Sequence, residues 1–174
     1  GVALQQRGKR NEAEAAYRRA GQLNPADGIA YARLAFMSSE MFQGGKVPSL
    51  EPAIAWARRS VAAQPSYYYG FVALGWTTYL KQNYPEAETA YRRAIQLSPE
   101  FAALYVELAR VITSERRYRD ALAPLLKSIE LDPKNYTARF YAGVVHQKLG
   151  QLDKSTEQYL QAITINPRAA EARS

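Results

Sequence analysis

Five prolines divide this chain more strictly than any other feature. Pro25, Pro65, Pro99, Pro133 and Pro167 stand 40, 34, 34 and 34 residues apart. Proline has no N–H to give a helix and disfavours helical backbone in the residue before it, so each one stops the helix that precedes it. The residues ahead of the prolines also recur. They read Ala20-Gly21-Gln22-Leu23-Asn24-Pro25, Ala94-Ile95-Gln96-Leu97-Ser98-Pro99, Ser128-Ile129-Glu130-Leu131-Asp132-Pro133 and Ala162-Ile163-Thr164-Ile165-Asn166-Pro167, with Ser60-Val61-Ala62-Ala63-Gln64-Pro65 a looser copy. A chain that returns to one phrase at a fixed period is built from one supersecondary unit, each copy covering the apolar face of the next.

Each period holds two helical patterns. Upstream of the prolines, Ala87, Tyr91 and Ala94 share one helix face, and Ala13, Tyr17 and Ala20 repeat them. Ser155, Tyr159 and Ala162 follow with one change, and Ala121, Leu125 and Ser128 more loosely. Ala53, Ala57 and Ser60 lack the large residue, a gap that neighbouring Trp56 is placed to fill. Downstream, Phe71, Leu74, Gly75 and Thr78 make one face, matched by Tyr105, Leu108, Ala109 and Ile112, by Tyr31, Leu34, Ala35 and Ser38, and in part by Arg139, Ala142, Gly143 and His146. Gly8 and Gly150 suit left-handed helix C-caps, and Pro52 and Pro85 suit first helical turns.

A 34-residue helix–turn–helix with an aromatic, Leu-Gly, a small residue, an aromatic, Ala and a closing Pro resembles the tetratricopeptide repeat. The rival is the pentatricopeptide repeat, against which the 34-residue intervals and the Ala-x3-Tyr-x2-Ala phrase argue. The resemblance implies an all-α solenoid of stacked antiparallel hairpins in a right-handed superhelix. As one array over 1–174, its parts are a partial first repeat at 1–25, holding the end of one helix and a complete second one, and a repeat with an insertion at 26–65. Full repeats follow at 66–99, 100–133 and 134–167, then the start of a truncated helix at 168–174. Neither end carries a polar capping helix, so the array reads as an excerpt of a longer one, with self-association through uncapped ends expected. Phe42 to Pro52, containing Gly44-Gly45 and Pro48, is expected to hold the six-residue excess as a projecting loop, and Pro124 to kink or delay its helix.

The residues exclude several chemistries. There is no cysteine, so disulfides and thiolate metal sites are absent. His146 is the only histidine and stands where the repeat has a core residue. Gly44-Gly45-Lys46 lacks both the first glycine of a phosphate loop and a preceding strand. No spacing assembles a nucleophile, a base and an oxyanion site. The expectation is a non-enzymatic chain with no cofactor, no metal and no membrane span.

Two surfaces remain as candidates. The resemblance puts first helices on the concave side, where their outward register gives a partner-binding groove. Its residues are Ile29, Arg33 and Phe36; Tyr69, Val72 and Trp76; Val106 and Arg110; and Phe140, Tyr141 and Val144. Aromatics of this kind anchor protein or peptide partners. Some members of the family clamp acidic chaperone tails on these faces. At the corresponding positions only Arg33 is a suitable donor, and Glu107 is repulsive. The second surface follows from the formal charge of +7. Arg18-Arg19, Arg58-Arg59 and Arg92-Arg93 recur at one place on successive second helices, and Arg116, Arg117 and Arg119 cluster in a turn. A stripe of this kind makes an envelope or assembly scaffold the alternative expectation, one that contacts an anionic polymer such as polysaccharide, nucleic acid or a membrane surface through its arginine pairs.

Overall fold

The helix-favouring periodicity is realised throughout. The computed structural model describes residues 2–167, with side chains from residue 9 on, and among these it contains nine helices and no strand. They are α1 (Val2–Leu23), α2 (Gly28–Gln43), α3 (Glu51–Ala63), α4 (Tyr68–Leu80), α5 (Tyr84–Leu97), α6 (Ala102–Ser114), α7 (Tyr118–Leu131), α8 (Tyr136–Lys148) and α9 (Leu152–Ile165). The all-α repeat solenoid expected from the sequence is thus the fold observed. The expected start of a helix at 168–174 lies outside the described residues.

The chain forms two compact units, Gly1–Leu97 and Ser98–Ser174. In the first, α2 pairs with α3 and α4 with α5, while α1 lies against α2, and α4 against both α2 and α3. In the second, α6 pairs with α7 and α8 with α9, and α8 also meets α6 and α7.

Hairpin packing follows the small–large–small phrase. Ala87, Tyr91 and Ala94 are buried on α5, and so are Ala121, Leu125 and Ser128 on α7. The Tyr91 ring lies so close to Gly75 that a Cβ there would come within 2.8 Å of it, and Tyr159 faces Gly143 at 2.7 Å in the same way. In the hairpin between them the ring is replaced by Leu125 and the glycine by Ala109, both fully buried. The larger residue on one helix is matched by a smaller one on its partner, which keeps the packed volume nearly constant. In the α2–α3 hairpin, Ala32, Ala35 and Ala57 form a small-residue core with Ala73 of α4, and Trp56 packs against its side.

Turns repeat with the same period. Gln82, Arg116 and Gly150 all have positive φ, at 63°, 61° and 73°. Around each, the amide three residues past the helix bonds back five residues, Asn83 to Thr78 at 2.9 Å, Arg117 to Ile112 at 3.2 Å and Gln151 to His146 at 2.9 Å. This is the Schellman closure, which satisfies the last carbonyls of a helix. Gly45, with φ of 67° and a Lys46-to-Met41 bond of 2.8 Å, makes the same closure after α2.

Several expectations need correction. Residues 1–25 contain one continuous helix, and α1 runs straight through Gly8, which therefore caps nothing. The six-residue excess is not all loop: α2 has 16 residues where α4, α6 and α8 each have 13, so half of it is an added helical turn. Glu51 and Pro52 already belong to α3. The loop that remains, 44–50, does not simply project, because Leu50 is buried with Ala53 and Ile54 against Phe42 and Leu80. Pro124 does not delay α7, which starts six residues before it and continues past it.

Candidate functional site

In the first unit the outward face of α2 and α4 is aromatic. Asp27 starts α2 by accepting from the amides of Ile29 and Ala30 at 3.0 and 3.2 Å, which fixes where that face begins. Ile29 is 47% exposed, and Arg33 is exposed one turn on, its guanidinium 5.4 Å from the Tyr69 ring centre. Phe36 meets Tyr69 with ring centres 5.0 Å apart, so this pair holds α2 to α4 as well as facing outward. Tyr67 and Tyr68 extend the cluster, each about one ring contact from Tyr69. Burial pushes the Tyr67 hydroxyl pKa above the usual phenol range, and the nearby Arg33 charge partly offsets this.

Further along α4, Val72 and Trp76 are half-buried, and Trp76 stacks on Tyr79 at 6.0 Å. Ala73, on the same face by register, is fully buried against α2 and α3, so the open surface lies on its flanks. No acidic residue occurs in α4, and the one in α2, Glu40, is bound by Arg10 at 2.7 Å. The face therefore combines half-buried rings with an arginine that, among the described residues, no carboxylate pairs.

The second unit offers less. Val106 is 3% exposed and belongs to the core, so it cannot line a groove. Arg110 is bonded to Glu107 of its own helix at 2.9 Å. Burial raises the Glu107 carboxyl pKa above the usual range, with the Arg110 charge and hydrogen bond pulling it back. Phe140 is shared among Tyr136, Tyr141 and Tyr159, which makes it largely a packing residue. Tyr141 and Val144 are half-buried.

The arginine pairs do not form a stripe of free cations. Arg18 is bonded to Glu14, Arg58 to Glu86, Arg92 to Glu88, and Arg117 to both Glu115 and Asp120. Arg93 donates to Gln96. Among the described residues, Arg19, Arg59, Arg93, Arg116 and Arg119 have no carboxylate partner. His146 Nδ1 stands 2.7 Å from the Gln151 side-chain oxygen, to which its N–H donates. Among the described residues no three His, Asp or Glu side chains gather as a metal-binding group, and no helix is long and apolar enough to cross a membrane.

The register arithmetic missed two features. The Tyr67-Tyr68-Tyr69 run was visible as a block, but the first two tyrosines precede or open α4 and have no place in its periodicity. The stacking of Trp56 of α3 on Tyr31 of α2 joins residues of two elements, which no single-helix pattern reveals.

Antiparallel hairpins with one recurring interhelical contact and one recurring cap define a helical-repeat protein. The chain belongs to the tetratricopeptide repeat family, whose model matches residues 72–136 and 114–172. Proteins of this family generally mediate protein–protein interaction and scaffolding. Protein bimA of Emericella nidulans is 29% identical over 90 residues, covering 52% of this chain and 11% of that protein. DnaJ homolog subfamily C member 7 of Homo sapiens is 27% identical over 95 residues, covering 55% of this chain and 19% of that protein. The chain thus spans less than a fifth of the length of these relatives. The crystal structure of MamA superimposes with a TM-score of 0.79 at 20% identity, covering 96% of this chain and 94% of that one, a likeness of fold.

Proposed function

We propose that this chain is a non-catalytic interaction scaffold that holds a peptide or helix of a protein partner against the aromatic face of α2 and α4. One observation carries the reading: Phe36, Tyr69, Val72 and Trp76 stay half-buried on adjacent helices, beside exposed Ile29 and Arg33. Half-exposed aromatics supply large contact area at low entropic cost, and such residues dominate interface energetics. The corresponding part of the second unit, Tyr141 and Val144, extends the reading without carrying it.

A photo-crosslinking residue in place of Ile29 tests this. It should capture a protein partner, and capture should persist in high salt because apolar contact is little screened. The same residue in place of Leu160, which is 59% exposed on α9, should capture none. Contact with an anionic polymer through the arginines would instead fall steeply with salt. Self-association would appear as a second copy of the chain in the crosslinked product.

A further inference from the structure

On the side of α2 away from the aromatic face, Tyr31 turns toward α1 and α3. Its hydroxyl donates to the Gly21 carbonyl at 2.8 Å. A Cβ on Gly21 would lie 2.6 Å from the ring, so glycine at that position is what lets the ring seat against α1. Trp56 lies almost parallel to Tyr31, with ring centres 5.9 Å apart and 9° between planes. Two guanidinium groups close on this platform. Arg18 of α1 stands 5.2 Å from the Trp56 ring centre. Arg59 of α3 stands 4.5 Å from that of Tyr31 and 5.8 Å from that of Trp56. With Gly21 and Gln22 these residues line a cavity of about 110 Å³.

The charges do not balance. A ring face attracts a cation but leaves its charge in place. Glu14 pairs with Arg18 at 2.8 Å and offsets it. Among the described residues no carboxylate pairs with Arg59. The cavity therefore keeps one uncompensated positive charge, on a residue exposed to incoming ligand.

We propose that this cavity is an anion subsite that takes one carboxylate from an acidic segment of a protein partner. Arg59 and Arg18, whose guanidinium groups rest on the Trp56 and Tyr31 rings, would hold it. The planar guanidinium fork fits a planar carboxylate bidentately. One net positive charge matches a monoanion, whereas a phosphate brings about −1.5 to −2. The volume suits a single side-chain head and not a polymer backbone. The subsite shares no residue with the α2–α4 face, so it stands or falls independently of that reading.

Its test uses the two tryptophans of the chain. Trp76→Phe leaves Trp56, which lines the cavity, as the only tryptophan reporter. That protein is titrated at constant ionic strength with N-acetylated, C-amidated pentaglutamate, with the matching pentaglutamine and with inorganic phosphate. Trp56 fluorescence should change saturably with pentaglutamate and not with pentaglutamine. Arg59→Gln should weaken the pentaglutamate response about tenfold or more, as expected for losing a charge-assisted hydrogen bond. Arg93→Gln removes the same charge from α5 and should weaken it less than about twofold, since only screened long-range attraction is lost. Arg59→Lys keeps the charge without the fork and should fall between. It decides the matter alone if the Gln variant does not fold. Equal losses at Arg59 and Arg93, an Arg59→Lys response equal to the parent's, tighter binding of phosphate than of pentaglutamate, or no saturable signal would each overturn the proposal.

Discussion

At the scale of single residues, the repeat is a rule about volume shared between two helices. Gly75 faces Tyr91 and Gly143 faces Tyr159, whereas buried Ala109 and Leu125 stand in the same register between them. The small–large–small phrase was legible in the sequence because it lies within one helix. Its compensation on the partner helix was not, since that requires knowing which residues meet. The exchange predicts a coupling. Gly75→Ala should destabilise the chain by about 1–3 kcal/mol, because the buried Tyr91 ring has no room to yield. Adding Tyr91→Leu, which recreates the natural Ala109–Leu125 pair, should recover part of that loss. Urea unfolding of the single and double variants measures the coupling. Additive losses would show that the two residues do not share one space.

At the scale of elements, the turns are as periodic as the helices. Gln82, Arg116 and Gly150 hold the left-handed cap position, and only the last is a glycine. Gly150 was legible as a cap because glycine bears no penalty at positive φ. Gln82 and Arg116 were not, because such residues are uncommon there. Gly8 misled for the opposite reason: a glycine inside a helix costs only about 1 kcal/mol, too little to end α1 when good helix formers flank it. The insertion was legible in length but not in place. Phe42 continues the apolar pattern of α2, and Leu50 is drawn into the α3 core, so half the excess became helix. Gly150→Ala should cost about 1 kcal/mol, and Gln82→Gly should gain up to about the same, both read as shifts in the denaturation midpoint. The space around Gly150 is open, so the loss would report backbone conformation and not a clash.

At the scale of the molecule, the formal charge of +7 is distributed less freely than the sequence implies, since acidic neighbours engage Arg18, Arg58, Arg92 and Arg117. What remains unusual is aromatic surface on the first helices of residues 1–97. Its positions were legible from register, except where a residue of the right register was needed for packing, as with Ala73; Val106 failed in the same way in the second unit. If this surface binds the partner, Trp76 is its anchor on α4, and substituting it is the decisive measurement. Partner affinity and thermal stability are to be measured for Trp76→Ala and Leu74→Ala, using the partner captured through Ile29. Trp76→Ala should weaken binding by about 2 kcal/mol or more, as the loss of an interface anchor does. Its melting temperature should fall less than that of Leu74→Ala, which removes a side chain packed against the small-residue core and should cost roughly 2–5 kcal/mol. If Trp76→Ala melts as low as Leu74→Ala and its folded fraction binds the partner with parental affinity, then Trp76 is a packing residue and the aromatic face is not the binding surface.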